Sequence, residues 1–452
     1  MQGWEQHARA VGRLRDSYAQ IPPGSPVRLA KRTSNLFRPR AQTDAPGLDV
    51  SGLDGVIAID PVARTADVQG MCTYERLVDE TLRCGLVPNV VPQLRTITLG
   101  GAVTGLGIES TSLRLGLPHE AVLEMDILTG SGDLVTATPD NEHADLFAAF
   151  PNSYGSLGYA TRLKIALAPA PAQVHLRHVR VADATEAQKV IAEVADAGTW
   201  DGRPVDAIDG TAFSPDEIYL TMAQFCDTDL PTSDYTGQDV YYRSIQQRHE
   251  DVLTMHDYLW RWDTDWFWCS RAFGAQNPWL RRVWPRSKRR SDVYHRLVAL
   301  DTKVGISRLM DRAKGVAGRE RVIQDIEVPL DRLEEFLAWF DAEVGMRPVW
   351  LCPLRTNRAW PTYPLVPGDV YVNVGFWGTV VVPGDAEPGA VNRRIEAEVH
   401  RLGGHKSLYS EAFYDRATFD ALYGTAGLDD LRAVHDPDSR LNTLYDKAVR
   451  NS

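Results

Sequence analysis

The chain has 452 residues, 44% hydrophobic and 24% charged, with a formal net charge of −11. That length passes the ~250–300 residues at which a single core stops growing, so two domains are expected in an otherwise ordinary globular composition. The acidic balance argues against general nucleic-acid binding, which leaves a basic footprint. No apolar run approaches the ~20 residues of a spanning helix, and Cys72, Cys84, Cys226, Cys269 and Cys352, odd in number and without CxxC spacing, read as reduced thiols.

Trp4, Ala8, Val11, Leu14 and Tyr18 recur at helical spacing and predict an amphipathic N-terminal helix without an apolar signal core. Val27 to Ala30 reads as a short strand that runs into a polar turn at 31–35. Gly55 to Asp60 and Thr65 to Gln69 read as strands, and Thr73 as the cap of a helix that Gly85 ends. Next comes PQLRTITLGGAVTGLGIESTSLRLG, residues 92–116. Gly100, Gly101, Gly105 and Gly107 fall within eight residues, interleaved with Thr96, Thr98, Thr104, Ser110, Thr111 and Ser112. Glycines let backbone N–H groups approach a ligand, and with the hydroxyls they form a cradle suited to a pyrophosphate. A plain glycine-rich connection is the alternative. The stretch is neither a P-loop nor a GxGxxG fingerprint.

Ala121 to Leu128 and Leu134 to Thr138 are predicted to pair across Thr129–Asp133. Asp145 to Phe150 reads as a short helix and Ser153 to Gly158 as a second tight turn, with a strand from Arg162 to Leu167. The run 168–172 is an extended linker and the expected domain boundary. Beyond it, strands at Val174–Val181, Ile218–Met222, Val322–Val328, Val349–Leu351 and Val370–Gly375 alternate with helices at Thr185–Ala197, Leu330–Val344 and Val391–Leu402. This pattern predicts an antiparallel sheet with helices on one side. Between Tyr258 and Trp284 lie six of the twelve tryptophans, and RRVWPRSKRR (281–290) follows with six positive charges. Rings beside cations suit a peripheral contact with an anionic membrane through 279–290. A buried aromatic core with a solvated charged loop is the alternative.

TLGGAVTGLGIES (98–110), GLPHEAVLEMDILTGSGDLVTATP (116–139) and FPNSYGSLGYATRLKIALAP (150–169) resemble the flavin domain of the vanillyl-alcohol-oxidase type, and within it the Δ24-sterol reductases. PVWLCPL (348–354), VYVNVGFWG (370–378) and LYSEAFYDRATFDALYG (408–424) extend the likeness. VRLAKRTSNLFR (27–38) and VPQLRTITLGGAVTGLGIESTS (91–112) resemble most the actinobacterial reductases of methylene-branched fatty acyl chains. The resemblance implies an α+β fold: a two-part FAD-binding domain at 1–168, and an α+β cap domain at 173–440 with an aromatic-basic insert at 256–290. A C-terminal helix at 441–452 completes the expected architecture.

It implies FAD contacts at Lys31, Thr33, Ser34, Asn35, Thr98, Gly100, Gly101, Thr104, Gly105, Gly107, Ile108, Glu109, Ser110, Ser112, Gly155, Gly158 and Tyr159. No histidine lies between His7 and His119, so the early loop has none to bond the flavin covalently, and the FAD is expected to dissociate. Family-matched catalytic positions are Tyr258 and Arg261 in HDYLWRW, Asn373 and Tyr409, with Arg261 expected to lower the pKa of Tyr258. Glu109 and Glu411 rank behind them. Sterol reductases carry a histidine and a hydroxyl residue where Trp262 and Asp263 stand, and eukaryotic members carry an N-terminal anchor that this sequence does not show.

The implied activity is reduction of an isolated lipid carbon–carbon double bond with NADPH-derived electrons. A methylene-branched acyl chain is placed ahead of a sterol side chain as substrate. An FAD oxidase of an alcohol or sugar alcohol, and a non-catalytic flavin protein, are the competing readings. No metal is expected, and the location implied is cytoplasmic, in contact with the inner face of the plasma membrane.

Overall fold

The computed structural model describes residues 3–30, 37–38, 46–304 and 318–450. The predicted amphipathic helix is Trp4–Ala19, with Ala10 and Leu14 buried on its inner face. It leans on a first sheet made of β1 (Val56–Asp60), β2 (Thr65–Gln69), β3 (Leu86–Pro88), β4 (Val122–Leu128), β5 (Leu134–Ala137) and β6 (Tyr159–Pro169). The strand order is β1-β2-β6-β4-β5, with β3 also on β6. Strand β6 is the spine. Its Arg162 reaches Asp67 on β2 and Asp126 on β4, both at 2.6 Å, tying three neighbouring strands together. The β4–β5 hairpin turns at 129–133 as expected, with Gly132 at φ +91°, a value that favours glycine. The Thr73 hydroxyl caps the helix Tyr74–Leu82 by accepting from the Arg76 amide.

A second, antiparallel sheet is built from β7 (Gln173–Val181), β10 (Ala207–Ser214), β11 (Glu217–Cys226), β12 (Glu250–Thr254), β13 (Gly318–Pro329), β14 (Val349–Leu354), β15 (Tyr371–Val382) and β16 (His405–Lys406). A separate two-stranded ribbon, β8 (Thr199–Trp200) and β9 (Arg203–Pro204), comes between β7 and β10 in the chain. The sheet order is β12-β7-β11-β10-β14-β15-β13-β16. Alternation along each strand gives the sheet two unlike faces. Ile208, Ala212, Val322, Ile326, Val349, Leu351, Val372 and Val374 face the helices Ala184–Ala197, Leu333–Glu343 and Ala390–Arg401 in an apolar core. The opposite phase carries Asp209, Trp350, Cys352, Asn373, Trp377, Asp325 and Glu327, and it is turned toward the first sheet and the aromatic insert. The α+β class and the one-sided helical layer are therefore as the sequence predicts.

Three expectations change. The linker shrinks to 170–172, because β6 runs on to Pro169 and β7 begins at Gln173. The chain after β16 leaves the cap: Val27 N–H donates to the Arg440 carbonyl at 2.8 Å, and Arg432 donates to the Ser156 carbonyl at 2.8 Å. The cap thus ends well before 440, and the C-terminal helix begins at 444 in place of 441. The insert is the third correction, since Trp260, Trp262, Trp266, Trp268 and Phe267 are buried. Arg281 is buried against Asp265 at 2.8 Å and against the carbonyls of Tyr235, Gly237 and Asp239. Arg289 is buried among the carbonyls of Thr236, Gly237, Arg281 and Trp284, and Arg290 pairs with Glu75 at 2.8 Å. Half of the basic run is structural cross-linking, because a guanidinium can satisfy several carbonyls at once.

Candidate functional site

The glycine loop lies where the two sheets meet. Thr98 caps the short helix Leu99–Thr104, its hydroxyl accepting from the Gly101 amide at 3.2 Å. The Gly100 amide donates to the Gly70 carbonyl at 2.9 Å, and a Cβ on Gly100 would sit 2.6 Å from that oxygen. A Cβ on Gly107 would press on Pro92 and Pro118, and one on Gly105 would meet the Gly101 carbonyl at 2.7 Å. Three of the four glycines therefore serve close packing within the protein. Gly101 is exposed, and beyond it a Cβ would meet only the Thr98 hydroxyl.

The second turn docks on this loop. Tyr154 N–H donates to the Thr104 carbonyl at 2.7 Å, and the Thr104 hydroxyl holds the Gly100 carbonyl at 2.7 Å. Gly155 and Gly158 both lie at positive φ, and the Gly155 carbonyl accepts from Lys447 Nζ at 2.8 Å. Tyr159 opens β6 and its hydroxyl donates to the Val27 carbonyl at 3.3 Å. Lys31, Thr33, Ser34 and Asn35 lie outside the described residues.

At the far end of the loop, Ile108, Glu109, Ser110 and Ser112 are buried. The Ser112 hydroxyl accepts from the Glu109 amide at 3.1 Å, and the Ser110 carbonyl accepts from Ile208 N–H at 2.8 Å, joining the loop to β10. Here the structure brings Tyr258 and Arg261 together. Arg261 Nη2 is 2.9 Å from Glu109 and 3.1 Å from Asp209, with its carbon 4.1 Å from the centre of the Tyr258 ring. The hydroxyls of Ser110 and Tyr258 are 2.6 Å apart. Asp209 also accepts from Trp262 Nε1 at 2.9 Å and from Trp350 Nε1 at 3.1 Å.

Burial works against the Arg261 charge, but Tyr258, Glu109 and Asp209 outweigh it and hold the guanidinium charged. Burial also lifts the Tyr258 phenol above the ordinary tyrosine value, more than Arg261 lowers it. The expectation that Arg261 makes Tyr258 acidic is thereby corrected: desolvation of the phenolate dominates. Tyr258 is a neutral hydroxyl at physiological pH.

Asn373 and Tyr409 belong to a second group, on the same sheet face. Asn373 Nδ2 donates to Asp325 at 3.1 Å, and the Tyr409 hydroxyl, which accepts from Trp377 Nε1 at 3.0 Å, lies beside the same carboxyl. Glu327, two residues along β13, accepts from the Ser407 hydroxyl at 3.0 Å. The insert's rings stand between the groups, with Phe267 4.8 Å from Trp262, 5.6 Å from Trp350 and 4.4 Å from Trp377 by ring centres. Glu411 belongs to neither group; it pairs with Arg321 at 2.9 Å.

The residues present fit a flavin nucleotide. The amides of Leu106, Gly107 and Ile108 donate to no described residue. Glu109 Oε2, Asn152 Nδ2, the Tyr154 and Tyr363 hydroxyls, Asn373 Oδ1 and Ser410 Oγ are buried without a hydrogen-bond partner among the described residues. Buried polar groups are seldom left so, and these surround one junction between loop and sheet. Sequence reasoning missed Asp209, Asp325, Glu327, Tyr154 and Tyr363. The signal was there in β13, where acids at i and i+2 alternate with isoleucine and valine and must share the face opposite the helices. Among the described residues no group of side chains is arranged to hold a metal ion, and no helix is long and apolar enough to cross a membrane.

Residues 22–138 match the family model described as "FAD binding domain". The Delta(24)-sterol reductase homolog dhcr-24 of Caenorhabditis elegans is 23% identical over 446 residues, covering 93% of this chain and 82% of that protein. The Delta(24)-sterol reductase of Rattus norvegicus is 25% identical over 417 residues, covering 87% and 76%. A shorter likeness, 38% over 116 residues, joins 26% of this chain to 22% of cytokinin dehydrogenase 7 of Oryza sativa subsp. japonica. On these findings the chain is an FAD-dependent oxidoreductase, similar along most of its length to the Delta(24)-sterol reductases.

Proposed function

We propose that the protein reduces an isolated carbon–carbon double bond in a lipid, with electrons from NADPH carried by non-covalent FAD. The observation that carries this reading is the inward face of the second sheet: Asp325, Glu327, Asn373 and Cys352 set among Trp262, Phe267, Trp350 and Trp377, against the glycine loop. An unactivated alkene needs a hydride on one carbon and a proton on the other, in a place without water. FAD, when bound, supplies the hydride chemistry. The glycine loop with Thr98, Gly101 and Thr104 holds its phosphates, and the orphaned amides and hydroxyls near Tyr154 orient it. The aromatic rings exclude water and offer their faces to positive charge that develops on the branched carbon. Arg261 fixes Glu109 and Tyr258, and so the shape of the wall, as a positioning residue.

The sterol side chain now stands ahead of the methylene-branched acyl chain, reversing the expectation from sequence, because the relatives matched over most of the chain are named Delta(24)-sterol reductases. The acyl reading keeps one supporting observation. Trp262 and Asp263, which depart from the sterol reductases, are buried and committed to Asp209 and Arg95, so they are part of the wall. Substrate arrives from an anionic bilayer through a surface smaller than the basic run suggested: Trp279, Leu280 and Val283, exposed on the helix Pro278–Val283, with Arg282 stacked 5.3 Å over Trp279.

The test is to supply FAD-loaded protein with NADPH and either a Δ24-unsaturated sterol or a methylene-branched acyl phospholipid. A product richer by two hydrogens, formed without oxygen consumption, is expected. Oxygen consumption with an alcohol and no alkene product would favour an oxidase.

A further inference from the structure

We infer that Asp325 and Glu327 form a proton store, two carboxyls that share a proton at neutral pH and pass it to the substrate by way of the Tyr409 hydroxyl. The inference rests on the reading of function above. Both side chains leave β13 on the same face, since Gln324, Ile326 and Val328 take the other phase; Glu327 is buried and Asp325 half-buried, and neither has an ion-pair partner among the described residues. A lone buried carboxylate is costly, so such a group takes up a proton instead.

The hydrogen bonds leave room for that proton. Asp325 accepts one from Asn373, and Glu327 Oε1 accepts one from Ser407, whereas Glu327 Oε2 has no partner among the described residues. The Tyr363 hydroxyl stands beside the Glu327 carboxyl. A cavity of about 10 Å³, close to the size of one water, opens between Tyr154, Tyr363, Ser407 and Leu106 of the glycine loop. Burial pushes Asp325 up to about 6, and burial with the neighbouring Asp325 pushes Glu327 well above the usual carboxylate range.

Among the described residues nothing facing the pair reverses this. Burial raises the phenols of Tyr154, Tyr363 and Tyr409 and the thiol of Cys352, and it lowers His405 to about 3, so all are neutral. Lys406 turns to Glu396 at 3.5 Å, and Arg38 donates to the Leu408 carbonyl at 2.7 Å. In the step itself the acid O–H breaks and the alkene π electrons form the new C–H bond. The adjacent carbon takes the hydride supplied by the reduced cofactor, and the pair, one charge more negative, regains a proton from water.

The experiment combines two readouts on the FAD-loaded protein. Infrared difference spectra of wild type at neutral pH should show a protonated-carboxyl C=O band that shifts in D2O and is lost in Glu327→Gln. That variant keeps its volume and the Ser407 bond; Asp325→Asn is the second probe. Single-turnover reduction of a Δ24-unsaturated sterol or a methylene-branched acyl phospholipid should slow by about 100-fold or more in Glu327→Gln at unchanged flavin content, the usual contribution of a general acid. No such band in wild type, or a full rate in Glu327→Gln, overturns the proton store. A wild type that keeps the band but reduces neither alkene overturns the function and the donor role, while the shared proton stands.

Discussion

Arg261 is the most committed side chain of the site. It is wholly buried and shared between two carboxylates far apart in the chain, Glu109 on the glycine loop and Asp209 on β10. Breaking such a pair leaves uncompensated buried charge and costs ~3–5 kcal/mol. Arg261→Met should therefore lower the melting temperature strongly at pH 8 and less at pH 5. The sign follows from Glu109, which burial already raises: its contribution is present below the unfolded carboxylate pKa and lost as pH rises through the folded one. Equal losses at both pH values would refute that assignment.

Gly101 and Gly105 separate folding from cofactor binding. Gly105→Val meets the Gly101 carbonyl and the Tyr154 ring and should lower both stability and flavin content. Gly101→Val disturbs only the Thr98 cap, ~1 kcal/mol, and its remaining bulk meets no other described atom, where the proposed function puts the flavin phosphates. Flavin content and melting temperature of the purified variants decide this: Gly101→Val retaining full flavin absorbance would remove Gly101 from the cradle. The glycine loop stood out as a motif, and Tyr258 and Arg261 were singled out by the family resemblance. Asp209, Asp325 and Glu327 were not, because a charged residue inside a strand reads as solvent-facing until the sheet's second face is known to be covered.

At the scale of elements, the short strands and their turns followed from β-branched runs and glycine punctuation, and β2 begins and ends where the sequence places it. Strand β10, AIDGTAFS, escaped because Asp209, Gly210 and Thr211 interrupt its apolar pattern; its neighbours β11 and β14 supply the pairing that local propensity lacks. The insert looked like a membrane belt because composition cannot tell a buried indole from an exposed one. Its exposed remainder is testable. Trp279→Ala with Arg282→Glu should weaken binding to phosphatidylserine vesicles several-fold, at ~1 kcal/mol per basic residue, with flavin content and melting temperature unchanged. Arg289→Glu should instead destabilise the fold, because that guanidinium is buried among carbonyls. Vesicle binding by the double variant equal to wild type would leave Trp279 without a membrane role.

At the scale of the molecule, one continuous core joins the lobes: Val56 and Leu163 of the first sheet share it with Trp350 and Leu354 of the second and Phe419 and Tyr445 of the returning C-terminus. Two domains were expected as separate cores. The chain crosses back because Arg432 and Arg440 clasp the first lobe, the latter reaching Tyr18 at 2.6 Å. A fragment ending at residue 168 should therefore bind no FAD, measured by flavin fluorescence after refolding with the cofactor. Stoichiometric binding by that fragment would show the first lobe to be self-sufficient.

The central claim, that this lipid-facing flavoprotein saturates a carbon–carbon double bond, is tested most directly without oxygen. Protein reduced at its flavin is mixed anaerobically with a Δ24-unsaturated sterol, and the flavin absorbance is followed while the sterol is recovered for mass analysis. The account predicts return of the oxidised flavin spectrum in step with a sterol richer by two hydrogens. A flavin that stays reduced beside that sterol and beside a methylene-branched acyl phospholipid, yet reoxidises at once in air, would contradict it.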